Sequence, residues 1–309
     1  QELGGDKLRG MAMNMGLDQY KELGGEKLKG MVMQMGDAEF KELDANRLKG
    51  MAMNMGDAEF QELGGDKLRG MAMNMGDEQF KELGGDKLRG MAMNMGDEQF
   101  KELGGERLRG MAMNMGDAQF KELGGDKLRG IVGNMGDAQF TELGGDKLKG
   151  MVKEMNQEHL KSLGGEKVSG LATTMTPENL KAVGNEALTG ITKHVSAEKV
   201  RGIGSEKIDA MITGIKIETI TELNAEKLSK MLDVIEPTKI SRMEPERKGE
   251  VLKSTGATLL KSADGEPITT WQKAADTKTP PKFADASSDL EQQKKSAVNV
   301  NRFQRLGIK

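Results

Sequence analysis

Three patterns in this chain have residue types and spacings suited to chemistry. The first is "GMAMNMG" at residues 10–16, which recurs with little change until about residue 116. Its alternating methionines, Met11, Met13 and Met15, offer the soft thioethers that suit Cu(I). The second is "LGGDKLRG", in which glycines precede a helix start with Lys7 and Arg9 nearby, the layout of a phosphate cradle. The third is the recurrent Gly-Gly-Asp, which invites a calcium reading.

Each pattern meets a physical objection. On a helix Met11 and Met15 point to one side and Met13 to the other, so the three sulfurs do not converge on one ion. A methionine-rich Cu(I) protein therefore stands only as an alternative. Asp6 or Glu26 in the first helical turn occupies the place a phosphate would take, and neither GxGxxG nor GxxxxGK[ST] occurs. The calcium β-roll needs a nine-residue period that is absent. His159 and His194, the two histidines, form no HExxH pair and read as helix-end polar residues. No nucleophile elbow or His-centred triad can be assembled, and the chain has no cysteine for thiol catalysis or thiolate metal sites. Paired carboxylates such as Asp77 and Glu82 recur beside Lys81 and Lys87 and read as a solvated, self-compensating surface. The expectation is a protein that is not an enzyme and uses no cofactor.

The elements that carry these residues follow from a repeat. Self-comparison at a shift of twenty aligns the chain from Gln1 to about Glu250, with near-identical units such as "GDEQFKELGGDKLRGMAMNM" through the first seven. Gln1 falls inside a unit, so the chain is expected to be a fragment or a processed product. Five columns stay apolar while their chemistry drifts, as buried positions do. They start at Leu3, Leu8, Met11, Met15 and Tyr20; the last continues as Phe40 to Phe140, then Leu160, Leu180, Val200, Ile220 and Ile240.

Caps set the boundaries. Thr176-Pro177 and Ser196 start one helix of a unit, while Asp44, Asn224 and Glu244-Pro245 start the other. Gly24 and its equivalents permit the turn between them. Helices of about 7 and 11 residues do not hold themselves together in water, so each must bury its stripe on neighbours. A glycine recurs mid-helix at Gly10, Gly30 and Gly50, at a cost of about 1 kcal/mol against Ala. Close helix-to-helix approach is the reason expected for it. With one unit per layer and about 9 to 10 Å between stacked helices, a dozen units would extend on the order of 110 to 120 Å.

The predicted fold is all-α: an elongated α-solenoid of about twelve helix-turn-helix repeats. Residues 1–250 form the array, near-identical over 1–140 and degenerate over 141–250. Residues 251–275 form a small non-repeat segment, a hairpin turning at Ala263-Asp264-Gly265 with Pro267 limiting its second strand to an edge. Residues 276–309 read as an extended or disordered tail. "TPENLKAV", "SAEKVRGI" and "IETITELNAEKLSKML" resemble the helical-hairpin arrays of the armadillo and TALE-type repeat class. That resemblance implies an extended binding surface, and for TALE-type arrays DNA binding.

Charge argues against nucleic acid. Lys+Arg 46 against Asp+Glu 49 leaves a net charge of -3, with no overall basic field for a phosphate backbone. A nucleic-acid-binding array is thus a second alternative. No run approaches the 18 apolar residues of a membrane span. The leading reading is a structural or scaffold protein that binds other subunits, or copies of itself in a large assembly or filament, along one edge. Its candidate contact residues are the outward column Met13, Met33, Met53, Met73, Met93 and Met113. Trp271, and Arg302, Phe303 and Arg305 in the basic tail, complete the set.

Overall fold

The computed structural model describes the backbone of residues 4–261 and 267–271, and side-chain surroundings up to Ala257. The chain divides into two units, Gln1–Trp271 and Gln272–Lys309, and the second lies outside the described residues. The first unit is the all-α solenoid that the repeat predicts, short helices in series from Gly5–Asn14 to Pro245–Thr255.

Each unit is a pair of helices meeting at a glycine. Leu17–Leu23 and Gly25–Gln34 meet at Gly24, φ 77°. In Asp57–Met73 the pair runs on with a sharp bend at Gly64, φ 74° and ψ 169°. Only glycine takes that conformation without strain. Where the column lacks glycine the chain uses another solution. Asp44 and Asn224 keep φ at -71° and -60°, and their side chains accept from the backbone N–H of Arg47 and Lys227, capping the helix that follows.

Stacking differs from the expected one unit per layer. Gly5–Asn14 lies against Asp37–Glu42, Leu17–Leu23 against Ala45–Met53, Gln157–Leu163 against Asn185–His194, and Pro177–Ala182 against Ser205–Gly214. Every helix packs on the one three places along the chain. A layer is therefore one and a half units, 30 residues, and first helices stack on second helices. Gly50 faces Tyr20, Gly70 faces Phe40, and Gly90 faces Phe60, each 30 residues apart. The reason is steric and electrostatic. A 20-residue layer would set Phe over Phe and Asp over Asp; the 30-residue layer sets an aromatic ring over bare backbone and a carboxylate over a guanidinium.

The core runs between the stacks. Tyr20 and Phe40 through Phe140 are fully buried, as are Leu28, Met35, Leu48, Met51 and Met55. Gly256 ends the last helix in the left-handed conformation, φ 66° and ψ 18°. Strands Ala257–Lys261 and Pro267–Trp271 then pair antiparallel, Ala257 opposite Trp271 and Lys261 opposite Pro267, beside the last two helices. The turn residues Ala263, Asp264 and Gly265 lie outside the described residues.

Two mid-helix glycines give opposite expectations. A Cβ at Gly70 would meet the buried Phe40 ring at 2.7 Å, whereas one at Gly30 meets nothing within 4 Å. Gly70→Ala is expected to destabilise by roughly 1–3 kcal/mol through overpacking. Gly30→Ala is expected to stabilise by up to about 1 kcal/mol through helix propensity. Urea unfolding of the two variants checks the sign of each.

Candidate functional site

From the second unit on, the methionine runs divide as helix geometry predicts; in the first unit Met11, expected in the core, is 48% exposed, because no layer precedes it among the described residues to cover it. Met51 and Met55 are 0% and 1% exposed while Met53 is 45% exposed. The three thioethers of one run therefore face opposite sides and do not meet at one ion. Met13, Met33, Met93 and Met113 are exposed like Met53, and Met73 is half-buried.

The stacking does not bring this column onto one edge. Met13 and Met73 belong to one stack of helices, Met33 and Met93 to the second, Met53 and Met113 to the third, because a unit advances two thirds of a turn. Within a stack they lie two layers apart, about 18–20 Å at ordinary helix spacing. The single line of methionines expected at one per repeat is thus replaced by isolated thioethers on three faces. Trp271 ends the second strand, its side chain outside the described surroundings. Arg302, Phe303 and Arg305 lie outside the described residues.

What joins the layers at the surface is a set of polar ladders. Arg69 stands between Asp37 of one layer, 2.8 Å away, and Glu102 of the next, 3.0 Å away. Arg89 repeats this with Asp57 and Glu122, and Arg109 with Asp77 and Glu142. The hydrogen bond to Asp37 raises the Arg69 pKa further and keeps the guanidinium charged. A second ladder ties layers through the backbone: Lys67, Lys87, Lys127, Lys147 and Lys167 donate to the carbonyls of Met35, Met55, Met95, Met115 and Met135. These cations sit on the carbonyl ends of helices, where the backbone dipole favours positive charge.

A third ladder uses the third residue of the first helix. Gln99 Oε1 accepts from the Gly96 N–H at 2.9 Å while its Nε2 donates to Asp66 at 2.9 Å. Gln119 makes the same two bonds, with Gly116 and Asp86. Glu59 keeps only the capping arm, and the Gly56 N–H it accepts from holds its carboxyl below the ordinary range. His159 is the imidazole version of the same device. Its Nδ1 accepts from the Asn156 N–H at 3.1 Å and its Nε2 faces Asp126 at 3.0 Å, which assigns the Nε2–H tautomer. The sequence reading of this histidine as a helix-end polar residue misses the bridge between layers. The signal for all three ladders is present, but only when columns are compared 32 to 34 positions apart.

The ladders change in the degenerate units. Ser169, Thr189 and Asp209 occupy the place of Arg69. Burial raises the Asp209 pKa, and the charges of Lys239 and Lys181 offset this only in part. The remaining recesses are shallow. One of about 250 Å³ is lined by Asp137, Thr141, Ser169 and Thr173 among others, and one of about 220 Å³ by Asp209, Thr213, Lys239, Arg242 and Met243.

Two outcomes test this account. His159→Gln retains both bonds and is expected to change stability by less than about 0.5 kcal/mol, whereas His159→Ala is expected to cost roughly 1 kcal/mol, the size of a lost N-cap. Urea midpoints measure both. The folded state holds the Asp209 proton more tightly than the unfolded chain does, so this group's contribution to stability falls as pH rises through the window above its ordinary value of 3.8. Asp209→Asn is therefore expected to raise the melting temperature at neutral pH, with the gain shrinking towards about pH 4. Thermal scans across pH read that crossover.

No family model matches the chain, and no curated protein matches it. Among solved structures an engineered protein is similar at 15% identity over 82% of this chain and 95% of that one, with a TM-score of 0.24, a superposition too loose to bear on fold or role.

Proposed function

We propose that this chain is a non-catalytic scaffold, a helical repeat array that engages other protein chains, or further copies of itself, through side chains it displays at regular intervals. The observation that carries the reading is the exposed thioether of Met33, Met53, Met93 and Met113, set between buried methionines of the same helices. Exposure of a large apolar side chain at a repeated position has a desolvation gain to offer a partner, and methionine adapts its shape to different surfaces. The ladders engage Arg69, Arg89 and Arg109 with acids of neighbouring layers, whereas these thioethers are apolar groups displayed at a repeated position. Three-faced display suits several weak contacts acting together, where avidity replaces one large interface. No helix among the described residues is long and apolar enough to cross a membrane.

The test replaces Met33, Met53, Met93 and Met113 together by Ser. Helical circular dichroism is expected to stay unchanged, since none of the four is in the core. Association, followed by sedimentation of the chain alone and with proteins from its source, is expected to weaken at least about tenfold, the equivalent of roughly 1.4 kcal/mol. Association that survives all four substitutions overturns the reading.

A further inference from the structure

The Asp–Arg–Glu rung thins out towards the degenerate units, where its glutamate position becomes Ser162 and then Ala182, and at one rung the aspartate loses its cation as well. The arrangement of Asp37, Arg69 and Glu102 recurs at Asp57, Arg89 and Glu122, and again at Asp77, Arg109 and Glu142. Asp97 keeps Arg129 at 2.6 Å, and Asp117 is served by Lys153 at 2.7 Å. At the next rung the arginine position is Ser169 and the glutamate position is Gly202. At the rim, Thr141 stands where Lys81, Lys101 and Lys121 stand in earlier units. These three losses fall around one recess of about 250 Å³.

Asp137 remains at that recess, exposed, and no cation among the described residues pairs with its carboxylate. The other charges lining it, Glu166 and Lys199, pair with each other at 3.3 Å. The floor is fixed, because Ser169 Oγ donates to the Gly165 carbonyl at 2.6 Å and accepts from the Ser196 N–H at 2.9 Å. What is left is an open recess at the arginine position, with the exposed Asp137 carboxylate beside Thr141, Ser169, Thr173 and Thr174; the Thr141 and Thr174 hydroxyls already donate to the Asp137 and Gly170 carbonyls and face a ligand as acceptors.

We infer that the recess at Asp137, Ser169 and Gly202 is a binding site for a guanidinium group, an arginine side chain supplied by a partner chain. The molecule itself supports this choice of ligand. In the intact rungs the same aspartate position accepts a guanidinium N–H at 2.6 to 2.8 Å. A planar guanidinium donates in a fork to a carboxylate and to flanking hydroxyls, which a compact ammonium does less well. A divalent cation needs more oxygen anions than one carboxylate provides. None of the exposed methionines lines this recess, where the methionine column has become Thr173, and its test reads a different signal, so either reading can fail alone.

The experiment titrates the full chain with N-acetyl-arginine amide and, as control, its uncharged citrulline counterpart, following backbone amide shifts by NMR. The arginine probe is expected to bind saturably and to shift amides near Asp137 and Gly170, while the citrulline probe leaves them unmoved. Asp137→Asn, an exposed substitution that leaves packing alone, is expected to weaken binding at least about tenfold. Ser169→Arg restores the aspartate's own guanidinium partner, though not the glutamate lost at Gly202, and is expected to abolish binding. Shifts that do not saturate, equal binding of the citrulline probe, or unchanged binding by Asp137→Asn overturns the assignment.

Discussion

An aromatic ring lying on bare helix backbone is the contact from which this array follows. A helix of seven or ten residues is too short to persist in water, so each must be held by the layer next to it. Phe40 reaches Gly70 so closely that even a methyl group on Gly70 would collide with the ring. Full burial of a phenylalanine is worth about 1.5–3 kcal/mol, more than the roughly 1 kcal/mol that a mid-helix glycine costs. The glycine is therefore retained wherever the ring is. In the degenerate units the ring goes first: Leu160 still lies against bare backbone at Gly190, whereas 30 places on from Leu180, Val200 and Ile220 stand Ala210, Lys230 and Glu250. Once the ring is gone, the requirement for glycine is lifted.

That pairing also explains how far the sequence could be read. The buried columns, the two helices of a unit and the glycine turn between them were legible because each depends on neighbours within twenty residues. Leu28, Leu48 and Phe60 lie in the core as their columns predict. The layer was not legible from the same comparison, because self-alignment at twenty aligns like with like and is blind to contacts between unlike positions. Phe40 with Gly70, and Asp37 with Arg69, are pairs of different residues across a half-integral number of units. Met13 and its equivalents lie outside the core for the same local reason, with Met73 half-buried. Alignment along one edge depends on layers, which a twenty-residue period does not report.

The polar ladders divide labour with the core in a way that magnitudes settle. A partly exposed ion pair such as Arg69 with Asp37 contributes about 0–1 kcal/mol, and salt weakens it further. A dozen such pairs would not hold an array that lacked its rings. Their effect is on register. Stacking a first helix on another first helix would set Asp37 against Asp57 and leave Lys67 far from the Met35 carbonyl, so the wrong layer is opposed by like charge as well as by ring-on-ring collision. Near-identical units need such discrimination most, since nothing in their composition tells one unit from the next. The lysines that donate to helix-end carbonyls continue into the degenerate region as Lys207 to Thr173 and Lys227 to Lys193. The acid–base rung, by contrast, changes composition there.

The three-stack geometry has a consequence for how such a chain acquires a site. Any feature present once per unit is carried to a new face by each added unit, so a stripe along one face lengthens only when three units are added, and its members stand two layers apart. Duplication of identical units thus multiplies weak, separated contact points and cannot concentrate them. A specialised place needs the opposite change: substitutions at positions in different units that meet only through stacking, as Asp137, Ser169 and Gly202 do. Those positions are 32 and 33 residues apart in sequence, in three different units. Divergence in the later repeats is therefore the means by which this fold makes one location chemically distinct from the rest, and repetition in the earlier ones is the means by which it keeps all others alike.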